Sequence, residues 1–121
     1  MDNEIAWYVE LTLNPDMLDD FISLTDEMIK YTAEESGVLV YERHLSKEKR
    51  IVYIYERYAD SQSALSHLHN FSDKFSKRFS RLVKRVRFLI FGSPSDELKE
   101  FLTSYGAVFT DEIAGFSNLK K

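Results

Sequence analysis

The sequence predicts an α+β fold with the ferredoxin-like element order β-α-β-β-α-β, followed by a short helix and an extended tail. Four short segments are rich in β-branched and aromatic residues, as is typical of strands. Amphipathic segments with apolar residues three and four positions apart follow the first and the third of them. No long linker or repeat divides the 121 residues, so a single domain is expected.

The first strand is predicted at Ile5–Leu13 and the first helix directly after it. Asn14 is a favoured N-cap, and Pro15 suits the first helical position. Gly37 is predicted as the residue that ends this helix.

Two further strands, Val38–Leu45 and Ile51–Tyr58, flank the polar stretch SKEKR and predict a hairpin. A turn centred near Glu48 gives two facing pairs, Tyr41 with Tyr55 and Arg43 with Tyr53. Apolar and aromatic residues occur on both faces of this hairpin, whereas a sheet with one wet face should alternate. We therefore expect a homodimer in which the sheets of two subunits pack together.

The second half of the chain predicts a helix capped by Asp60 or Ser61, with a possible break in HNFSD. Its apolar stripe comprises Ala64, Leu68, Phe71, Phe75, Phe79 and Leu82. A fourth strand is expected at Val86–Phe91. GSPSDEL then begins a helix that ends near Gly106, and residues 107–116 form a tail with a possible fifth strand.

Composition excludes several classes of protein. The absence of cysteine rules out disulfides and thiolate chemistry, no apolar run could span a bilayer, and the acidic N-terminus does not resemble a signal peptide. A soluble, cytoplasmic protein is expected. Residues 74–87 carry seven basic residues and no acidic one, but the net charge is -4. We interpret this run as a solvated helix face complemented by acidic residues rather than as a nucleic-acid site.

The stretches ESGVLVYE and IYERYADSQSALSHL resemble the core of the antibiotic biosynthesis monooxygenase (ABM) domain. Glu35 and Gly37 match its Glu-x-Gly, and residues 55–58 match its aromatic-Glu-Arg-aromatic pattern. Ala64 and His67 resemble its Ala-x-x-x-His helical segment, but at a spacing of three rather than four. The resemblance divides the chain into an ABM-like part, 1–92, and an extension of the same domain, 93–121. It implies a dimeric α/β barrel with a cavity between sheet and helices.

Some ABM members oxygenate aromatic polyketides or quinols without metal or flavin, and others degrade haem. The first strand lacks the Asn that haem-degrading members use, and Trp7 lies on that strand rather than in the helical region. The resemblance therefore favours a cofactor-independent monooxygenase of a small phenol- or quinol-like compound. The alternative is a non-catalytic, ligand-binding or stress-related dimeric domain of the same fold.

His67 and Glu56 are the candidate catalytic residues. A neutral imidazole at His67 can accept a proton from a phenol, or it can be a helix histidine hydrogen-bonded to the sheet or a partner. Glu56 is expected beside Glu42 and His44, where crowded carboxylates act as acid or base, unless it forms an ion pair with Arg43, Arg57 or an arginine of the partner subunit.

The candidate substrate-binding residues are aromatic or basic. They are Trp7, Tyr41, Tyr53, Tyr55, Arg57 and Phe71, and the ligand they suit is a small apolar or aromatic molecule. Such aromatic residues can equally belong to the core or to an interface. No metal-ligand spacing and no Gly-rich phosphate loop is present, so neither a metal nor a nucleotide cofactor is predicted.

Overall fold

The computed structural model describes residues 3–118 and confirms the ferredoxin-like order. The strands are β1 (Ile5–Leu13), β2 (Val38–Leu45), β3 (Ile51–Tyr58), β4 (Val83–Phe91) and β5 (Val108–Phe109), and the helices are α1 (Leu18–Thr32), α2 (Ser61–Lys74), α3 (Ser76–Leu82) and α4 (Asp96–Thr103). The sheet has the order β2-β3-β1-β4-β5, with every neighbouring pair antiparallel except β4 and β5.

The helices pack on one face of the sheet, where two clusters of buried residues form the core. One cluster surrounds Trp7 and Tyr58 and includes residues of α2 and α4, and the other surrounds Leu11 and Val52 and includes residues of α1 and α3. Alternate residues of β3 are buried in this core, as the period of a strand requires. Within residues 3–118, no helix combines the length and apolarity needed to cross a bilayer.

The first helix begins later than predicted, because its expected cap has another role. The backbone N–H of Asn14 donates to the Leu82 carbonyl (2.8 Å), and its side-chain amide donates to the Arg81 carbonyl (2.9 Å). Asp16 then adopts a left-handed conformation with φ of 63°, so the helix can begin only at Leu18. Asn14 therefore ties the end of β1 to the end of α3.

Gly37 is not the residue that ends α1, which has its C-cap at Ala33. The backbone of Gly37 is not left-handed, so conformation does not require glycine here. Lack of space requires it instead, because a Cβ at this position would lie 2.0 Å from the side-chain oxygen of Ser63 on α2. The glycine thus allows the loop before β2 to approach α2.

The predicted hairpin pairing is wrong by one residue over most of β2. Val38 faces Tyr58, as a turn centred on Glu48 requires, but Leu39 forms an irregularity, and Tyr41 then faces Glu56. The turn closes with a backbone hydrogen bond from Ser46 to the Ile51 carbonyl, which places its centre between residues 48 and 49. Since a slip of one residue exchanges the two faces of a strand, Tyr41 and Arg43 lie on the helix side.

Later elements follow the sequence more closely. Asp60 caps α2 by accepting from the backbone N–H of Ser63, and Ser95 caps α4 in the same way through Leu98. The break in the second helical segment comes at Phe75 rather than within HNFSD, and β4 begins at Val83, three residues early. The fifth strand exists but is only two residues long.

The basic run is partly complemented from within the chain. Arg78 of α3 pairs with Glu27 of the acidic helix α1 (3.0 Å), and the Lys74 ammonium lies 5.1 Å from the ring centroid of Tyr31. Both members of the ion pair are about half exposed, so it contributes little to stability.

Candidate functional site

A cavity of about 70 Å³ lies between the sheet and the helices. The residues that line it are Trp7, Val9, Met28, Tyr41, Arg43, Ile54, Glu56, His67, Leu68, Phe71, Phe79, Arg85, Phe88 and Tyr105. Most are apolar or aromatic, and the charged or ionisable groups come from β2, β3, β4 and α2. Arg85 is exposed, so the cavity reaches the surface on the β4 side.

Glu56 is the central polar group of the cavity. Its Oε1 atom accepts hydrogen bonds from the Trp7 indole N–H (2.8 Å) and the Tyr58 hydroxyl, and its Oε2 atom accepts from the Arg43 guanidinium (2.6 Å). The side chains of Glu56 and Arg43 are only 7% and 8% exposed. This carboxylate is therefore buried, paired and hydrogen-bonded, which is the condition for a stable interior charge.

Two opposing effects determine the pKa of Glu56. Burial alone would raise it, but the positive charge of Arg43, the nearby His67 and the Tyr58 hydroxyl together hold the pKa below its ordinary value. Burial and the Glu56 charge raise the pKa of the Tyr58 hydroxyl well above its ordinary value. Glu56 is thus ionised and Tyr58 neutral near pH 7, so Tyr58 donates and Glu56 accepts.

His67 is held by a second carboxylate. Its Nδ1 lies 2.8 Å from Oε1 of Glu35, and the Asn70 amide donates to the other oxygen of Glu35 at 2.9 Å. A carboxylate only accepts, so the neutral imidazole carries its proton on Nδ1 and a lone pair on Nε2. Nε2 lies 3.8 Å from Glu56, beyond hydrogen-bond distance. His67 is 5% exposed and can receive a proton at Nε2 from a group in the cavity.

Tyr41 and Arg43 form one wall of the cavity. The Arg43 guanidinium carbon lies 3.5 Å from the ring centroid of Tyr41, and the His67 ring meets the same ring edge-on at 5.5 Å. Burial first, and then the Glu56 charge, raise the pKa of Tyr41 to about 12. The Tyr41 hydroxyl therefore stays protonated at neutral pH.

The structure brings together five of the predicted site residues and separates three. Those lining the cavity are Trp7, Tyr41, Glu56, His67 and Phe71. Tyr53, Tyr55 and Arg57 alternate with the buried residues of β3 and lie on the opposite face of the sheet. There Arg57 pairs with Glu4 and donates to the Tyr55 hydroxyl at 3.2 Å, so these residues do not line the cavity.

The expected crowding of Glu56 with Glu42 and His44 is wrong. Glu42 faces Tyr55 and His44 faces Tyr53, both on the side away from the helices. Glu42 and His44 are exposed and lie 3.5 Å apart as a pair of their own. The cause is the hairpin pairing, which brings arginine rather than acid to the buried carboxylate.

The ion pair of Glu56 with Arg43 is one of the alternatives that the sequence offered, whereas sequence reasoning gave no role in the site to Glu35, Asn70 or Arg85. Asn70 lies three residues after His67, a spacing that places both on one helix face and indicates a common polar partner. Nothing local could identify Glu35 as that partner, because the two segments are 32 residues apart.

Within residues 3–118, no group of three His, Cys, Asp or Glu side chains is arranged to hold a metal ion.

Comparison with known proteins assigns the fold to a family. A sequence model of the antibiotic biosynthesis monooxygenase family matches residues 5–85. The chain belongs to this family. No curated protein sequence matches it significantly.

Solved structures share the fold of this ABM chain. MupZ from Pseudomonas fluorescens is similar at a TM-score of 0.86 and 24% identity, with 98% of this chain and 91% of that chain covered. A putative antibiotic biosynthesis monooxygenase from Bacteroides thetaiotaomicron gives 0.65 and 25%, covering 71% and 85%. SnoaB, a cofactor-independent oxygenase from Streptomyces nogalater, gives 0.65 and 11%, covering 77% and 95%. Likeness at these identities concerns the fold.

Proposed function

We propose that the protein is a cofactor-independent monooxygenase that oxidises a small phenol- or quinol-like compound in the cavity. The observation that carries the proposal is the pairing of His67 with Glu35, which leaves a lone pair on Nε2 of the neutral imidazole in a largely apolar pocket. Family membership and the fold shared with a cofactor-independent oxygenase support it. The volume of about 70 Å³ is small beside the ~300–1,000 Å³ of drug-sized sites, which favours a single-ring substrate.

In this mechanism His67 removes the phenolic proton of the substrate. The resulting electron-rich anion transfers an electron to O₂, and the two radicals combine at the ring carbon opposite the hydroxyl. Protonation gives a hydroperoxide. The O–O bond then breaks as that carbon loses its proton, so one oxygen remains as a quinone carbonyl and the other leaves as water. The substrate supplies all four electrons, and no other reductant is needed.

Glu56 has a positioning role in this proposal rather than that of the base. Its pKa lies below the ordinary value, and both of its oxygens already accept hydrogen bonds. A weakly basic carboxylate that already accepts three hydrogen bonds is a poorer proton acceptor than His67 Nε2. Glu56 instead fixes Trp7 and Arg43 in the cavity wall.

The test is oxygen uptake by purified, metal-free protein with single-ring phenols and quinols, corrected for uptake without protein. We expect protein-dependent uptake with one ¹⁸O atom from ¹⁸O₂ in the organic product and the other in water. Ligand binding without uptake across the panel would contradict catalysis and favour the non-catalytic binding domain.

Glu35 should affect turnover more than substrate binding. A carboxylate behind Nδ1 stabilises the positive charge that His67 acquires when it takes a proton. We expect Glu35→Gln to lower kcat by about 10- to 100-fold with little change in KM. Steady-state kinetics check this, with the exposed neighbour Glu34→Gln as the matched control. An equal loss from both variants would contradict the role of Glu35.

We further propose that the protein is a cytoplasmic homodimer formed through the sheet face opposite the helices. That face carries partly buried aromatic residues, among them Tyr8, Tyr53 and Tyr55, and no helix of the described chain packs on it. Light scattering should give twice the 14.2 kDa mass of the chain. Tyr53→Asp, which places a charge opposite Glu10, should give the monomer mass, whereas Ser66→Asp on the exposed side of α2 should not.

A further inference from the structure

Arg43 has a buried donor that the protein leaves unused. Of the buried side-chain nitrogen and oxygen atoms in residues 3–118, only Nη1 of Arg43 has no hydrogen-bond partner. The side chain is 8% exposed and lines the cavity. A buried donor without an acceptor is costly, and such groups in folded proteins call for an explanation.

The guanidinium cannot turn to find another partner inside the protein. Its Nη2 is fixed by the 2.6 Å bond to Glu56, and its plane is covered by the Tyr41 ring at 3.5 Å. Both neighbours belong to the hairpin, where Tyr41 faces Glu56 across the strands. Nη1 is thus a donor held in a fixed place, which is the arrangement used for recognising an acceptor oxygen.

The charges around the cavity favour a negative acceptor. Its lining contains two arginines, Arg43 and Arg85, but one carboxylate, Glu56. Arg43 and Glu56 compensate each other, which leaves Arg85 without an opposite charge in the lining; the Glu35 carboxylate, which does not line the cavity, lies behind Nδ1 of His67. Arg85 donates to the Tyr105 carbonyl at 2.5 Å, and a neutral carbonyl does not cancel its charge.

We propose that the cavity selects small aromatic compounds with two oxygen functions: a hydroxyl for His67 and a separate acceptor oxygen, carboxylate or carbonyl, for Nη1 of Arg43. The role of the hydroxyl rests on the proposed function, whereas the role of Arg43 is a matter of binding alone. Both His67 and Arg43 border Glu56, so one small ring can reach both. Arg43 is then a specificity-determining residue.

The test is calorimetric binding, without oxygen, of three ligands of similar shape: 3-hydroxybenzoate, 3-hydroxyacetophenone and 3-isopropylphenol. The last has nearly the shape of the ketone but no acceptor. We expect the wild-type protein to bind the carboxylate most tightly, and about 10- to 100-fold more tightly than the isopropyl compound, with the ketone between them. Arg43→Lys keeps the charge beside Glu56 but lacks the fixed second N–H, and it should lose most of this preference.

The ligand comparison on the wild-type protein stands without the variant, so a poorly folded Arg43→Lys does not decide the result. Equal affinities for the three ligands, an unchanged preference in folded Arg43→Lys, or no binding of any ligand would each overturn the proposal. Selective binding without oxygen uptake would support Arg43 while overturning the monooxygenase function. Oxygen uptake without selectivity would do the reverse.

Discussion

Replacing His67 by alanine should lower kcat for oxygen uptake by about 10²- to 10⁴-fold, the range contributed by a positioned general base. The variant removes the one imidazole nitrogen that combines burial in the cavity with a lone pair towards it. KM should change less than kcat, because the apolar wall that holds the ring remains. Oxygen-electrode kinetics with a saturating phenol give both constants.

His69→Ala is the matched control for this variant. His69 lies on the same helix but is exposed, and it contacts Phe101 edge-on rather than the cavity. Its replacement should leave kcat unchanged. Uptake that survives in His67→Ala would show that another group, or the acidity of the substrate itself, removes the proton.

The largest loss of stability is expected from Glu56→Ala. This change leaves Arg43 buried with a positive charge and no counter-ion, and it removes the acceptor of Trp7 and Tyr58. Breaking a buried pair in this way costs about 3–5 kcal/mol in the free energy of unfolding. Urea denaturation measures it. Glu42→Ala, which removes an exposed carboxylate from the neighbouring strand, should cost less than about 1 kcal/mol.

The same cluster should make stability depend on pH. The pKa of Glu56 is lowered from 4.5 in the folded protein, so its stabilising effect is complete above pH 4.5. The effect is lost as the pH falls below 4.5 and through the folded-state pKa. Glu56→Gln should therefore be less stable than the wild type at pH 7 and lose less stability on acidification. An equal loss in the free energy of unfolding for the two proteins below pH 4.5 would contradict this.

Local chemistry made much of the fold predictable. Asp60 and Ser95 cap their helices through hydrogen bonds to residues three positions later, so the sequence around them is enough to identify them. The order of strands and helices follows from hydrophobic periodicity. The start of α1 was not predictable, because Asn14 forms hydrogen bonds with Arg81 and Leu82, which are far away in the sequence. Its side chain is equally suited to a local cap and to this distant carbonyl.

The candidate site was only partly predictable for a related reason. His67 and Glu56 stand out by residue type, but their partners depend on how separate segments meet. A shift of half a residue in the centre of the hairpin decides whether Arg43 or Glu42 joins Glu56. Glu35 reaches His67 only after the sheet and α2 have packed together.

The close approach at Gly37 has a consequence for these partners. Gly37 is two residues from Glu35, and Ser63, which it nearly touches, is one helical turn before His67. The absence of a side chain at Gly37 therefore sets the distance between the Glu35 carboxylate and the His67 imidazole. Any larger residue at position 37 would push the loop away from the helix and lengthen the bond that orients the ring. A position that lies outside the cavity lining would in this way control the proposed proton transfer through distance alone.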